Sequence, residues 1–159
     1  MLLSRLRLRE PMRRAFTLVE MVIVLMVISI MAAAAAPRLH RALSYHRATT
    51  AAQRIKVDLQ YARQYAKTTS SSQSIQFNIL GQSYTCPGLP NLNRKSTAYA
   101  VALAEHPYEV ALVDANFGGL TSLTFNGFGI PDRSGTVVVQ SGQFQRTVVL
   151  DANGIADIQ

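Results

Sequence analysis

Residues 13–37 read RRAFTLVEMVIVLMVISIMAAAAAP, and this stretch decides what the rest of the chain can be. From Met21 to Ala36 the only polar side chain is that of Ser29. An apolar segment of about 20 residues is long enough to cross a bilayer as a helix. The stretch therefore predicts a transmembrane helix, with arginines in front of it and most of the chain behind it.

The six residues from Ala15 to Glu20, AFTLVE, resemble the prepilin-peptidase site of type IV pilins and of type II secretion pseudopilins. The resemblance implies cleavage between Ala15 and Phe16, N-methylation of Phe16, and a role for Glu20 in filament assembly. It also implies a bend at Pro37, because these proteins commonly bend their long helix there. Ala15 departs from the family pattern, which usually has Gly before the cut.

Glu20 is the one charged side chain at the start of the apolar segment. A lone carboxylate near hydrocarbon costs on the order of a few kcal/mol, so it marks a functional site by default. Processing would supply a cation, the free amino group of Phe16 on this or a neighbouring subunit. That pairing would fix the register of packed helices. The alternative is that the Glu20 side chain simply reaches the membrane interface.

A conventional signal peptide is the alternative interpretation of this N-terminus. Such peptides also have a basic start, an apolar middle and a small-residue cleavage site. Alanines in residues 32–36 offer A-x-A sites, and a cut after Ala34 is compatible with them. A carboxylate gives the apolar region of a signal peptide no advantage, so Glu20 favours the prepilin interpretation.

The positive charge is concentrated in two segments of the chain, although the formal net charge is +7. Removal of the leader, residues 1–15, leaves 11 basic and 8 acidic residues, a net charge of +3. Residues 38–67 carry seven basic residues and one acidic residue, whereas residues 68–159 carry four and six. Basic residues flank the span on both sides, so charge alone does not orient it. The resemblance implies a single-pass protein of the bacterial inner membrane with a periplasmic C-terminal domain.

Apolar residues recur at spacings of three and four after Pro37, which is typical of a helix with one buried face. The residues of this face are Ala48, Ala52, Ile55, Leu59, Ala62 and Ala66. Basic residues lie beside it, and they form either a solvated flank or a contact with anionic lipid headgroups or acidic neighbouring subunits. The residues that could make an anionic contact are Arg38, Lys56, Arg63 and Lys67.

The period changes to two from Ser74 onward, which predicts short strands. Turn pairs such as Asn126-Gly127 separate them, so we expect an antiparallel meander. Residues 87–95 (Pro87 to Lys95) read as a loop of undetermined role. The predicted fold is α+β, with a long N-terminal helix, transmembrane and then amphipathic, packed on an antiparallel β-sheet domain. The predicted segments are a leader (1–15), a transmembrane assembly half (16–36), an amphipathic half (37–67) and a β domain (68–159).

Residues 123–140 and 146–158 resemble the closing strands of the GspH/FimT group of minor pseudopilins and minor pilins. The resemblance implies a filament subunit whose partners are other pilins or pseudopilins, prepilin peptidase, the inner-membrane assembly platform and membrane lipid. DNA-binding relatives carry a basic GRxR-like stretch where this chain has GIAD, residues 154–157, so DNA is not an expected partner. Two alternatives stay open, a DNA-uptake minor pilin and a signal-anchored periplasmic binding module that does not polymerise.

Residues suited to catalysis are sparse, and we expect a protein that is not an enzyme and binds no metal or cofactor. His40 and His46 are six residues apart on the predicted helix, with no Cys or carboxylate to complete metal-ligand spacing. The single cysteine, Cys86, excludes an internal disulfide. It is either buried or available for pairing with another chain.

Overall fold

The computed structural model describes the backbone of residues 16–90 and 98–159, and of these the side chains of residues 34–37 and 98 are left undescribed. The described elements are a helix followed by strands, which confirms the predicted α+β class. They are α1 (Leu18–Thr69), β1 (Gln73–Asn78), β2 (Ser83–Pro90), β3 (Ala98–Ala102), β4 (Ala111–Asn116), β5 (Ser122–Phe125), β6 (Gly135–Ser141), β7 (Phe144–Leu150) and β8 (Ala156–Ile158). The chain divides into two compact units, Met1–Leu39 and His40–Gln159, and α1 runs through both ranges.

The part of α1 in the second unit buries the predicted face. All six predicted residues are buried, and Ala51 joins them. All of them except Ala48 belong to one hydrophobic core with side chains from both sheets, including Ile75, Phe117, Leu123 and Val139. Because alanine side chains end at Cβ, this face lets the sheets approach the helix closely.

The strands form two four-stranded antiparallel sheets rather than one meander. The first has the order β3-β2-β1-β5 and the second the order β4-β6-β7-β8. β5 returns to pair with β1, with Leu123 opposite Ile75, and β4 pairs with β6. The prediction of a simple meander was therefore wrong. Alternation along a strand shows which residues face the core, but it does not choose the partner strand.

The start of the predicted loop at residues 87–95 also differs from the structure. β2 continues through the first residues of the predicted loop to Pro90, and its pairing with β3 is irregular between Cys86 and Pro90. Both prolines of β2 lie beyond the residues that pair with β1, so neither removes a hydrogen bond from that ladder. Residues 91–97 lie outside the described range. β4 begins at Ala111, after turns in residues 105–110.

A buried carboxylate joins α1 to the first sheet. Asp58 is only 3% exposed. The hydroxyl of Tyr99 donates to Asp58 Oδ1 at 2.7 Å, and the hydroxyl of Tyr84 donates to Oδ2. Arg54, one helical turn earlier, donates through Nε to Oδ2 at 3.1 Å. Since Tyr84 lies on β2 and Tyr99 on β3, the cluster connects the helix to two neighbouring strands.

The protons of this cluster are held firmly. Burial and then the charge of Asp58 raise the pKa of Tyr84, and burial and then the hydrogen bond to Asp58 raise that of Tyr99. Cys86 lies on β2 and is fully buried. Burial and then Asp58 raise the pKa of its thiol to about 12. A buried, protonated thiol is a poor nucleophile, so Cys86 acts as a small core residue.

The Tyr84→Phe substitution should lower the free energy of unfolding by about 2 kcal/mol, because it removes a hydrogen bond to a buried charged group. The matched control is Tyr61→Phe. The Tyr61 ring is partly buried against the core, and its hydroxyl makes no hydrogen bond within the described part of the chain. The control should change stability by less than about 0.5 kcal/mol. Denaturant unfolding of the full chain in detergent, followed by circular dichroism, measures both, and equal losses would contradict this role of Asp58.

The raised tyrosine pKa values also predict a pH dependence. An unfolded tyrosine ionises near pH 10, whereas Tyr84 in the folded protein holds its proton to higher pH. The part of the unfolding free energy that comes from this difference in pKa is fully present below about pH 10, and it is lost as the pH rises above that value. Tyr84→Phe should therefore flatten the fall in unfolding free energy between about pH 10 and 12. The same alkaline fall in wild type and variant would show that Tyr84 contributes nothing to it.

Candidate assembly segment

The helix α1 begins directly after Thr17, whose hydroxyl caps its first turn. Thr17 Oγ1 accepts a hydrogen bond from the backbone N–H of Glu20 at 3.2 Å, and the Thr17 carbonyl accepts one from Met21 at 3.2 Å. Thr-x-x-Glu is the sequence pattern of a capping box. The spacing from Thr17 to Glu20 therefore has a local structural role in capping the helix, and the Thr-x-x-Glu pattern indicates this role in the sequence itself.

Phe16 and Glu20 lie at the open end of this helix. Phe16 is the first described residue, it precedes the helix, and its side chain is 70% exposed. Glu20 is exposed in the first turn, where the helix dipole favours a carboxylate. None of the ion pairs among the described residues includes Glu20. Ala15, the other residue of the predicted cut, lies outside the described range.

The segment after Glu20 has the properties of a membrane span. Among the described residues, α1 is the helix long and apolar enough to cross a bilayer, with a most apolar window of mean hydropathy 2.6 and no part of that window buried in the protein. The Ser29 hydroxyl donates to the Leu25 carbonyl at 2.7 Å, so this hydroxyl is satisfied within the helix. The backbone is helical at residue 37, but the Pro37 side chain is not described, and the bend stays a prediction.

Two of the four residues predicted for anionic contact have partners inside the β domain. Lys56 Nζ lies 3.0 Å from Asp157 Oδ1, and this hydrogen bond lowers the pKa of Asp157. Arg63 Nε donates to the Gly129 carbonyl at 3.2 Å. Lys67 passes the same turn, because a Cβ added at Gly129 would lie 2.5 Å from its Cε. Lys56, Arg63 and Lys67 therefore lie beside the final strands and turns of the β domain.

Arg38, the fourth residue, is exposed and belongs to the first unit, Met1–Leu39. Asp157, which lies in the GIAD stretch of residues 154–157, forms an ion pair with Lys56. Sequence spacing could not show this ion pair, because its members are 101 residues apart.

Within residues 16–90 and 98–159, no three His, Cys, Asp or Glu side chains lie close enough together to hold a metal ion. His40 and His46 are both exposed on α1. The ring of His46 lies edge-on to that of Tyr45, with the ring centroids 5.8 Å apart.

Two sequence families match the chain. The prokaryotic N-terminal methylation motif matches residues 11–36, which contain Ala15, Phe16 and Glu20. The family of the type II transport protein GspH matches residues 51–154, about two thirds of the chain. Among curated protein sequences, none matches the chain significantly.

Two crystal structures of the type IV minor pilin FimU from Pseudomonas aeruginosa strain PAO1 have a similar fold. The structure in space group P21 is 18% identical, with a TM-score of 0.50 over 72% of this chain and 89% of that chain. The structure in space group P65 is 16% identical, with a TM-score of 0.50 over 70% of this chain and 91% of that chain. At these identities the likeness concerns the fold. The methylation motif matches the N-terminal segment, and the GspH family matches most of the second unit. The chain therefore belongs to the GspH family and is a subunit of the pseudopilin and pilin kind.

Proposed function

We propose that this chain is a minor, non-catalytic subunit of a type II secretion or type IV pilus-like filament. Prepilin peptidase cuts it between Ala15 and Phe16, and the new N-terminus is methylated. The observation that carries the proposal is the capped first turn at Thr17 and Glu20, which is followed directly by an exposed apolar helix. The match of the methylation motif to the same residues supports it.

The proposed mechanism of assembly uses Glu20. A carboxylate at the edge of the bilayer needs a cation, and the described residues supply none within ion-pair distance. The amino group of a processed Phe16 is such a cation. When the Phe16 amine of an incoming subunit meets Glu20 of a neighbour, both charges are compensated in one layer, and this pairing sets the register between their helices.

The proposed location follows from the two units. The apolar part of α1 holds the subunit in the bacterial inner membrane, and the second unit, His40–Gln159, lies in the periplasm. The subunit then passes from the membrane into the filament through the assembly platform, with other pilins or pseudopilins as neighbours. FimU is described as a type IV minor pilin, and its similar fold supports a minor role for this chain.

DNA uptake is the weaker functional hypothesis. Asp157 forms an ion pair with Lys56, and Arg63 donates to a backbone carbonyl, so contacts inside the domain engage both cations. A DNA-binding surface needs several cations directed at phosphates, because phosphate neutralisation supplies most of the non-specific affinity. We therefore propose a structural role in the filament.

Processing gives the first prediction for this function. Intact-mass analysis of the membrane-extracted protein should show a chain that begins at Phe16 and carries one added methyl group. The control is a strain without active prepilin peptidase, in which the leader should be retained. A mature chain that begins at Ala35, as signal peptidase would produce, would refute the assignment.

The second prediction separates the charge of Glu20 from its capping role. Glu20→Gln keeps the capping-box pattern but removes the charge, so it should abolish incorporation into filaments and leave membrane insertion intact. Thr17→Ala is the matched control, because it removes the cap and keeps the carboxylate. It should weaken the first helical turn by about 1 kcal/mol and still allow incorporation.

Co-purification of tagged variants with sheared filaments measures incorporation, and membrane fractionation measures insertion. Normal incorporation of the Glu20→Gln variant would show that the charge is not required. Loss of incorporation in Thr17→Ala but not in Glu20→Gln would assign the role to the cap instead.

A further inference from the structure

Two arginines from distant parts of the chain, Arg41 and Arg146, lie near the start of the second unit, one beside Phe144 and the other over the ring of Tyr45. Arg41 is exposed on the first turn of α1 in this unit. Arg146 lies on β7, and its guanidinium carbon is 4.8 Å from the centroid of the Tyr45 ring. Tyr45 also meets Phe144 edge-on, with the ring centroids 5.6 Å apart and the planes at 90°. We call Arg41, Tyr45, Phe144 and Arg146 the basal surface.

The turn between β6 and β7 lies against the helix at this surface. A Cβ added at Gly142 would lie 3.1 Å from Ser44 Oγ, and Gly142 has a φ of +56°, which favours glycine. A shallow notch separates the turn from the helix. Its lining consists of His40, Arg41, Ser44, Gly142, Gln143 and Phe144.

The basal surface has uncompensated positive charge. Neither Arg41 nor Arg146 forms an ion pair with a carboxylate among the described residues. Glu109 pairs with Arg47, one position beyond the Tyr45–His46 contact, and so that acid is already neutralised. Arginines beside an exposed tyrosine are typical of protein surfaces at a membrane interface, where aromatic rings and guanidinium groups lie at headgroup level.

Chain connectivity keeps this surface close to the bilayer. The apolar run ends at residue 36, and His40 follows four residues later. Even a fully extended chain keeps these positions within ~14 Å of each other. Helical side chains also lean toward the N-terminal end of their helix, which here is the end nearest the span. The potential of an anionic membrane decays over a length of about 8 Å at physiological salt, which is comparable with this separation.

We propose that the basal surface docks on anionic phospholipid headgroups, with Arg41 and Arg146 binding their phosphates and with Tyr45 and Phe144 lying between them. This docking orients the second unit on the membrane before assembly. The inference rests on the membrane anchorage in the proposed function, but not on processing or filament assembly.

The test uses the full chain in lipid nanodiscs with one reporter. The sequence contains no tryptophan, so Phe144→Trp gives a single fluorophore at the hairpin. Discs of neutral phosphatidylcholine are compared with discs containing 30% phosphatidylglycerol, at about 0.15 M salt. Both carry the same fraction of lipid with a spin-labelled headgroup, which quenches a nearby tryptophan. Quenching should be stronger in anionic discs, and high salt should reduce it to the neutral value.

Two double variants that remove the same charge, each made in the chain that carries Phe144→Trp, show which basic residues cause the quenching. Arg41→Gln/Arg146→Gln should lower the ratio of docked to undocked domain about 25-fold, since each basic residue near an anionic surface contributes a factor of about five. Lys67→Gln/Arg133→Gln removes the same charge elsewhere and should leave the ratio within about twofold. Gln143→Trp, at an exposed neighbouring position, replaces the reporter if Phe144→Trp lowers the melting temperature.

Equal quenching in neutral and anionic discs would overturn the proposal. Equal losses in both double variants would also overturn it, because net charge rather than the basal surface would then control docking. Anchorage is measured separately by co-migration of the chain with the discs. A chain that leaves the discs would refute the anchorage on which the proposed function depends, whereas an anchored chain without lipid-dependent quenching would refute only the docking.

Discussion

The hydrogen bonds to the buried Asp58 carboxylate fix how the helix meets the first sheet. Burying a charge costs several kcal/mol unless donors compensate it, and here two tyrosine hydroxyls and a guanidinium do so. The alanine-rich face around it offers little to distinguish one helix register from the next. A shift of one residue would turn Asp58 by about 100°, away from Tyr84 and Tyr99. We infer that the carboxylate selects a single register for an otherwise permissive interface.

That register commits the later part of α1 to the β domain. The side chains between Ala48 and Ala66 that face the core are buried, so they cannot contact another subunit. The earlier part of the same helix differs in kind, because its apolar side chains from Leu18 to Met31 are exposed. One helical sequence therefore has an exposed apolar part and a part that is buried in a protein core. This division of α1 is what the proposed function requires of a subunit that is anchored first and assembled afterwards.

Much of this architecture could be predicted from local sequence. The apolar run, the AFTLVE motif and the spacing from Ala48 to Ala66 each depend on residues that are close in the chain. Strand pairing could not be predicted, because alternation shows only which residues face the core, and the return of β5 to β1 leaves no local signal. Asp58 was counted as the lone acid of a basic helix, since its tyrosine partners are 26 and 41 residues away.

The candidate site shows the same contrast. Thr17 and Glu20 are three residues apart, so their capping box was readable from sequence. The Lys56–Asp157 ion pair and the approach of Arg146 to Tyr45 were not, because each joins residues about 100 positions apart. Charge counted along a helix overestimates its free cations whenever the fold brings a distant acid or carbonyl to them, as it does for Lys56 and Arg63.

In the proposed function, the exposed first part of α1 packs against other subunits after processing. A photo-activatable amino acid in place of Val22, which is 54% exposed in the middle of the apolar run, tests this directly in cells that assemble filaments. We expect covalent adducts with other pilin-like subunits, which appear only when prepilin peptidase is active. A processed chain that gives adducts with lipid alone, while filaments assemble normally around it, would contradict this packing of α1.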